Sequence, residues 1–379
     1  MSRDGRLKLL IISHACALPE NQRLFANAAK LGNWDVTLVI PKVWMSEYGR
    51  PLGAKLLPGF QAQLIAIPVI NNGKVPLHFY RTRATRLLGQ IKPDVIYSHN
   101  EPYALSTIQW CLANVRSLNA PFGFFSCQNL VKHYPAPFCQ AERLVYRKSR
   151  FAFPITRSVD DVHRSKGFKG ESAILPLGFD ASLFPPRTRK VSECKGPFRF
   201  AYIGRVVEEK GLLTLVKALS SLPSREWILE VFGSGPYEEV VHESAKRLGI
   251  AELIRWRGFV PQNEIATELA KVDCVVLPSE TRGNWKEQFG RVLIESLACG
   301  VPVIGSDSGE IPIIIRESGG GLVFREGAAD SCTEKLLQIM TDKEGRLGMG
   351  DVGERYVRQT YDLSKLAECF RNAIELYSR

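Results

Sequence analysis

CVVLPSETRGNWKEQFGRVLIESLACGVPVIG, residues 274–305, reads in succession as a strand, a loop, a helix and a second strand. Cys274 to Leu277 is a short apolar, β-branched run that Pro278-Ser279 brings to an end. Gly290 marks a helix start and Gly300 its stop, since glycine takes the left-handed backbone that helix ends use. Val301 to Gly305 is the next strand. Two strands joined through a helix run parallel, and repeated units of this kind build a sheet covered by helices on both faces.

The same alternation extends outward in both directions. Upstream in the second half lie strand candidates Phe198 to Ile203, Trp227 to Phe232 and Leu253 to Trp256. The first half offers Lys8 to Ser13, Val36 to Ile40, Leu64 to Val69, Val95 to Tyr97, Phe122 to Phe125, Phe151 to Ile155 and Ala173 to Leu175. Between the first two of these, Leu24, Phe25, Ala28 and Leu31 share a helical face, with Gly32 as the stop. Around Phe184 to Pro197 the pattern gives way to Pro-Pro, Arg, Lys, Ser and Gly, the composition of an exposed connection. The expected organisation is therefore α/β, with two doubly wound, Rossmann-like domains at 1–183 and 198–362 joined by a linker at 184–197. A shared cleft would lie at the strand ends, and a last helix, 363–379, would cross back to the first domain.

A chain of 379 residues and 42.4 kDa suits two cores better than one. Its charge is uneven: up to Arg187 there are 24 Lys and Arg against 11 Asp and Glu, net +13, whereas the remainder has 26 against 28, net −2. A basic first half suits a phosphorylated acceptor or an anionic membrane surface. No nucleic-acid-reading motif accompanies it, so nucleic acid ranks last. No apolar run reaches the ~18 residues of a membrane span, and Leu7 to Ser13 is strand-length without a cleavage-like site behind it. The expectation is a cytoplasmic protein, peripheral at most on the inner face of the plasma membrane. Nine cysteines, Cys194 among them, show neither C-x-x-C nor zinc spacing and read as reduced, mostly buried thiols.

Chemistry concentrates in the second half. Gly204 ends the strand Ala201-Tyr202-Ile203 and lets the chain turn, while Arg205 and Lys210 can reach two oxygens of a diphosphate, Arg as a fork and Lys as a point charge. The helix start at Gly290 would turn its amides toward the same anion. Glu287 before that helix and Glu295 inside it can each accept paired hydrogen bonds from vicinal hydroxyls, as a sugar nucleotide would supply. Neither a Walker loop nor a G-x-G-x-x-G fingerprint is present, and no metal-ligand set is read.

The E-x7-E pair of Glu287 and Glu295, the E-Q-F-G core, the run A-C-G-V-P-V-I-G-S-D-S-G-E-I-P and the upstream Y-I-G-R with Lys210-Gly211 resemble glycosyltransferase family 4, the retaining transferases of GT-B fold. The resemblance covers essentially the whole chain and is strongest from Phe198 to Val323. It implies diphosphate binding by Arg205 and Lys210, donor-sugar contacts from Glu287 and ribose contacts from Glu295. It implies backbone contacts from Phe289, Gly290, Arg291 and Val292, a nucleotide-side turn at Gly233, Ser234 and Gly235, and base contacts at Phe259 and Val260. The donor would be a UDP- or GDP-linked sugar, needing neither cofactor nor metal. The acceptor would be a saccharide or a lipid-linked group, in polysaccharide, lipopolysaccharide or glycolipid assembly with retention of configuration.

The first half departs from that family more. Leu18-Pro19-Glu20-Asn21 stands where a Gly-Gly turn is common, and Gln128 in Phe125-Ser126-Cys127-Gln128-Asn129 where a His is. A Gln-Asn followed by Tyr134-Pro135 resembles a variant within the family. His14, His99 and Gln128 are the acceptor-side candidates, each following a strand. Glu20 and Glu101 are candidates for acceptor hydroxyls, with solvated loop carboxylates as the favoured reading. His78 to Lys92 places Tyr80, Ala84, Leu87, Leu88 and Ile91 on one helical face and Arg81, Arg83, Arg86 and Lys92 elsewhere; such a helix either lies on an anionic bilayer or packs on its own sheet. Two other functional classes stay open, a sugar-nucleotide epimerase of similar architecture and a non-catalytic nucleotide-sugar-binding module.

Overall fold

Seven parallel strands form the sheet of the first half: β1 (Lys8–Ile12), β2 (Asp35–Pro41), β3 (Ala62–Ile67), β4 (Val95–Ser98), β5 (Phe122–Ser126), β6 (Phe151–Pro154) and β7 (Glu171–Ser172). Six more form the second sheet: β8 (Phe198–Ile203), β9 (Trp227–Phe232), β10 (Ile254–Gly258), β11 (Cys274–Leu277), β12 (Val303–Ser306) and β13 (Gly321–Phe324). The spatial orders are β3-β2-β1-β4-β5-β6-β7 and β10-β9-β8-β11-β12-β13. Each sheet thus reverses direction beside its first strand, and loops leaving the two neighbouring strand ends diverge to open a crevice. This computed structural model describes residues 5–46, 49–186 and 196–378.

The chain divides into two compact units, residues 1–176 with 363–379 and residues 177–362. In the first, helices α1 (Arg23–Gly32), α2 (Ala84–Ile91), α3 (Leu105–Ser117), α4 (Phe138–Lys148) and α5 (Arg157–Ser165) join the strands. The second contains α6 (Leu212–Ser220), α7 (Glu238–Arg247), α8 (Gln262–Leu269), α9 (Arg291–Ala298), α10 (Ile311–Ser318), α11 (Ala329–Thr341) and α12 (Lys343–Thr360). The alternating side chains of β1 show why the strands read as unbroken apolar runs. Leu9 and Ile11 enter one core with Phe25 of α1, and Leu10 and Ile12 enter another with Leu88 of α2 and Trp110 of α3. Both faces are buried, so neither needs polar residues.

The last helix, α13 (Leu363–Tyr377), belongs to the first unit. Its Leu366, Phe370, Ile374 and Tyr377 recur at helical spacing and are buried. Phe370 packs edge-on to Phe25 at 5.4 Å, and Tyr377 stacks on Phe151 at 4.8 Å.

Several expectations are corrected. The first unit ends at Pro176, not at 183, because Phe179 and Phe184 pack on each other and are tied into the second unit. The Phe179 amide donates to the Tyr361 carbonyl (3.1 Å) and Arg358 donates to the Phe184 carbonyl (2.8 Å). Most of the expected linker, 187–195, lies outside the described residues, as does Cys194. The stop of α1 is Asn33, whose left-handed backbone (φ 52°) caps the helix, and Leu31 is exposed. The strand expected at Ala173 to Leu175 is β7, two residues earlier. Val69–Ile70 leaves the sheet to pair antiparallel with Phe79–Tyr80. The helix expected from His78 therefore begins only at Ala84, and its Leu88 is fully buried under the sheet. That apolar face is consumed by the core, leaving Arg81, Arg83 and Arg86 exposed without an apolar partner face. Among the described residues no helix is long and apolar enough to cross a membrane.

Candidate active site

In the second unit the reversal falls between β8 and β11, and both loops that leave it carry the expected residues. Gly204 and Arg205 follow β8, and the turn is fastened by hydrogen bonds from the Gly204 amide to the Phe232 carbonyl (2.9 Å) and from the Val206 amide to the Ser234 carbonyl (3.0 Å). Gly233 approaches so closely that a Cβ there would lie 1.9 Å from the Gly204 carbonyl oxygen, and at φ 131° it also favours glycine. Arg205 is half-buried on this turn, and its carbonyl accepts the Tyr202 hydroxyl (2.5 Å).

Lys210 and Glu287, 77 residues apart, meet at 2.6 Å between Nζ and Oε2. The Ser279 hydroxyl donates to the same carboxylate oxygen at 2.7 Å, and the Lys210 ammonium sits 5.1 Å over the Trp285 ring. Glu287 is 6% exposed, so the pair is largely withdrawn from water and the two charges compensate one another. Gly290 caps α9 in the left-handed conformation (φ 78°), and as glycine it offers no side chain to cap the first amides of the helix. Glu295, one turn into α9, accepts from Gln262 Nε2 (2.9 Å) and pairs with Arg291 (3.2 Å). Burial holds its carboxyl above the usual range against both partners. Ser279, Trp285 and Gln262 were not singled out by sequence. Trp285 and Ser279 stand in the same 274–305 run, two to eight residues from Glu287, which was the signal available.

The other donor-side expectations are more dispersed. Phe289 is buried and packs on Tyr361 at 5.7 Å, so its side chain is core while its backbone precedes α9. Val292 is half-buried beside it. Phe259 is 45% exposed, and Val260 lines a cavity of about 260 Å³ with Arg199, Glu230 and Arg257. Gly235 follows Ser234 with no room for a side chain against the Val206 carbonyl, 2.2 Å from where a Cβ would stand.

The first unit assembles its own group at the ends of β1, β4 and β5. His14 Nδ1 bonds Asn100 Oδ1, and its ring lies 4.9 Å from Trp44 and 5.1 Å from His78. His99 bonds the Tyr97 hydroxyl (3.0 Å) between the rings of Phe25 and Phe125. Burial lowers its pKa to about 3, which makes it a weak base near neutrality. Glu101 is no solvated carboxylate: it is 6% exposed and accepts the Ser126 hydroxyl (2.6 Å), the Cys127 amide (2.8 Å) and the Cys127 thiol (3.1 Å). Gln128 is also buried, and the Tyr134 ring packs tilted against Tyr103 at 4.8 Å. Glu20 is exposed as expected. One acid and imidazole trio that sequence reading passed over, Glu239, His242 and Glu243 on α7, brings its ligand atoms within 4.8 Å of one another at helical spacing.

Burial of imidazoles makes the first unit acid-sensitive. His78, His99 and His163 titrate at about 4, 3 and 3, all below the ordinary 6.5 because burial penalises the cation. As pH falls below 6.5 the unfolded chain takes up protons first, so their contribution is complete above that pH and is lost progressively down to pH ~3. Glu101, held above its usual range by burial, works in the opposite sense. Hydrogen exchange at pH 7.5 and 5.0 is expected to show the first unit losing amide protection relative to the second. Equal change in both units would contradict it.

Residues 186–355 match the sequence profile of the glycosyl transferases group 1 family. They form a group 1 glycosyl transferase domain. A GDP-mannose-dependent α-(1-6)-phosphatidylinositol monomannoside mannosyltransferase of Mycobacterium tuberculosis is 30% identical to this chain over 203 residues, 51% of this chain and 53% of the relative. A D-inositol 3-phosphate glycosyltransferase of Corynebacterium aurimucosum is 26% identical over 202 residues, 49% and 47% respectively. The chain thus spans about half the length of the curated relatives it matches. By structure, sucrose-phosphate synthase of Thermosynechococcus elongatus superposes with a TM-score of 0.76 at 16% identity, over 98% of this chain and 99% of that one. Anabaena HepE in complex with UDP-glucose does so at 0.76 and 16%, over 98% and 100%. The fold of the chain is accordingly GT-B.

Proposed function

We propose that this protein is a metal-independent, retaining glycosyltransferase that moves a hexose from a nucleoside diphosphate to a saccharide or lipid-linked acceptor. The observation that carries the reading is the buried Lys210–Glu287 pair beside the start of α9. Lys210 and Arg205 take the diphosphate oxygens, and the first turn of α9 faces the same charge. As the bond between the anomeric carbon and the phosphate oxygen breaks, these groups stabilise the charge collecting on the departing diphosphate. The anomeric carbon bonds to an acceptor hydroxyl oxygen, whose proton is released. Glu287, oriented by Ser279, accepts hydrogen bonds from donor-sugar hydroxyls, and Glu295 from the ribose. His14, His99, Gln128 and Glu101 belong to the acceptor side, where Glu101 is the better-supported carboxylate. Matches to enzymes named for GDP-mannose and for phosphatidylinositol or inositol phosphate acceptors make a GDP-linked hexose and a phosphorylated or lipid acceptor the first pairing to assay.

Glu287→Gln separates the two halves of this reading. The neutral amide releases Lys210 from its ion pair, so bare nucleoside diphosphate should bind as well as to wild type or more tightly. The nucleotide sugar should lose about tenfold, the cost of one hydrogen bond to a charged acceptor. Calorimetry with both ligands measures the difference, and equal losses would move Glu287 off the sugar.

A further inference from the structure

A groove of about 810 Å³ in the first unit is lined by Arg143, Arg147, Arg150, Lys166 and Lys169, and no carboxylate lines it. Ser149 and Arg150 immediately precede β6, and Lys169 and Gly170 immediately precede β7, so its floor is the N-terminal edge of the parallel sheet. His14, His99 and Gln128 follow strand ends at the opposite edge. The groove is therefore separate from the acceptor-side group. Its floor is closed by the Glu171 amide donating to the Arg150 carbonyl (2.9 Å), and Gly170 permits the approach, since a Cβ there would lie 2.5 Å from that oxygen.

Two further observations point to an anionic ligand. Lys166 is neutralised by Glu142 at 2.6 Å, but Arg143, Arg147, Arg150 and Lys169 make no ion pair among the described residues. The Ser149 hydroxyl, in a residue 7% exposed that lines the groove, has no hydrogen-bond partner among the described residues. Four unpaired cations repel one another, and a buried hydroxyl without a partner is costly, so the groove is incomplete as it stands. Arg143 and Arg147 lie one helical turn apart on α4, which sets their side chains ~5–6 Å apart at the base. That spacing, with Arg150 and Lys169 below, exceeds what one phosphate can engage.

We infer that this groove is a second anion site, outside the donor chemistry, that takes a ligand carrying two or more phosphate groups. Arg143 and Arg147 fork onto one phosphate, Arg150 and Lys169 hold the next, and Ser149 donates to it. Such phosphates come either from a clustered lipid headgroup surface or from a soluble phosphoester.

The test uses the full chain, tripolyphosphate, and vesicles of phosphatidylcholine with or without phosphatidic acid, at ~0.1 M salt. Arg143→Glu/Arg147→Glu/Arg150→Glu should weaken tripolyphosphate binding at least about tenfold, whereas the equally charged Arg81→Glu/Arg83→Glu/Arg86→Glu should change it less than about threefold. Ser149→Ala, which alters no charge, should weaken it about threefold. Recruitment to phosphatidic acid vesicles that tripolyphosphate reverses, and that the groove variant alone loses, assigns the lipid source. Tripolyphosphate binding without vesicle recruitment assigns a soluble phosphoester. Equal losses in both triple variants would reduce the effect to overall charge and overturn the site, as would wild type that binds neither probe.

Discussion

Lys210→Ala is expected to lower sugar transfer and nucleoside diphosphate affinity by about 10- to 150-fold, the equivalent of one charge-assisted contact at about 1.5 to 3 kcal/mol. The structure adds a second consequence. Lys210 is the cation 2.6 Å from the buried Glu287 carboxylate, and removing it takes away that paired charge while the Ser279 hydroxyl still donates to the same oxygen. An uncompensated buried carboxylate destabilises the fold, so the variant should also melt below wild type. Lys210→Ala/Glu287→Gln tells the two effects apart: the melting temperature should recover while diphosphate affinity stays low, since the neutral amide needs no counter-ion but supplies no cation. Calorimetry, melting curves and steady-state transfer on the three proteins give the answer. A folded Lys210→Ala protein with wild-type affinity and turnover would remove Lys210 from the diphosphate.

Most strands were legible because burial on both faces leaves an unbroken apolar signal, as in Phe198–Ile203, Trp227–Phe232 and Cys274–Leu277, which have the expected bounds. Elements failed where that signal was short or followed the wrong period. Gly321–Phe324, which follows Gly319 and Gly320, is not among the expected strands, yet it is the edge strand of the second sheet. Tyr80 falls in helical phase with Ala84 and Leu88, but the helix starts only after Arg83, a position without a side-chain cap, and Tyr80 reaches the same core from a ribbon. Periodicity alone does not reveal that change of element.

At the site, residue types were legible and their pairings were not. A basic residue after β8 and an acid before α9 mark a place for a diphosphate and a sugar. That the two form one buried ion pair depends on the reversal between β8 and β11, which only the sheet order supplies. Glu101 shows the same limit. Asn100-Glu101-Pro102 has loop composition, and the Ser126 and Cys127 groups that withdraw Glu101 from solvent lie 25 and 26 residues further on.

Gly309→Ala is expected to abolish most activity without touching a charged group. Gly309 sits between β12 and α10 with a left-handed backbone (φ 56°), and an added Cβ would lie 1.8 Å from the Glu287 carbonyl oxygen and 2.8 Å from its carbonyl carbon. Both are backbone atoms of the residue paired with Lys210, so the collision is relieved only by moving the loop that presents the carboxylate. The Glu310 amide, which donates to the same carbonyl (3.3 Å), is displaced with it. A shift near 1 Å in a positioning element costs on the order of a hundredfold in rate. Left-handed strain in a non-glycine residue adds about 1 to 2 kcal/mol of destabilisation. Gly327→Ala isolates that second term, because Gly327 has a similar backbone (φ 69°) with no atom within 4 Å of a built Cβ. Both variants should melt lower than wild type, but only Gly309→Ala should lose transfer by about two orders of magnitude at a temperature where each is folded. Matching losses of activity in the two would show that backbone strain, and not the approach of Gly309 to Glu287, sets the rate.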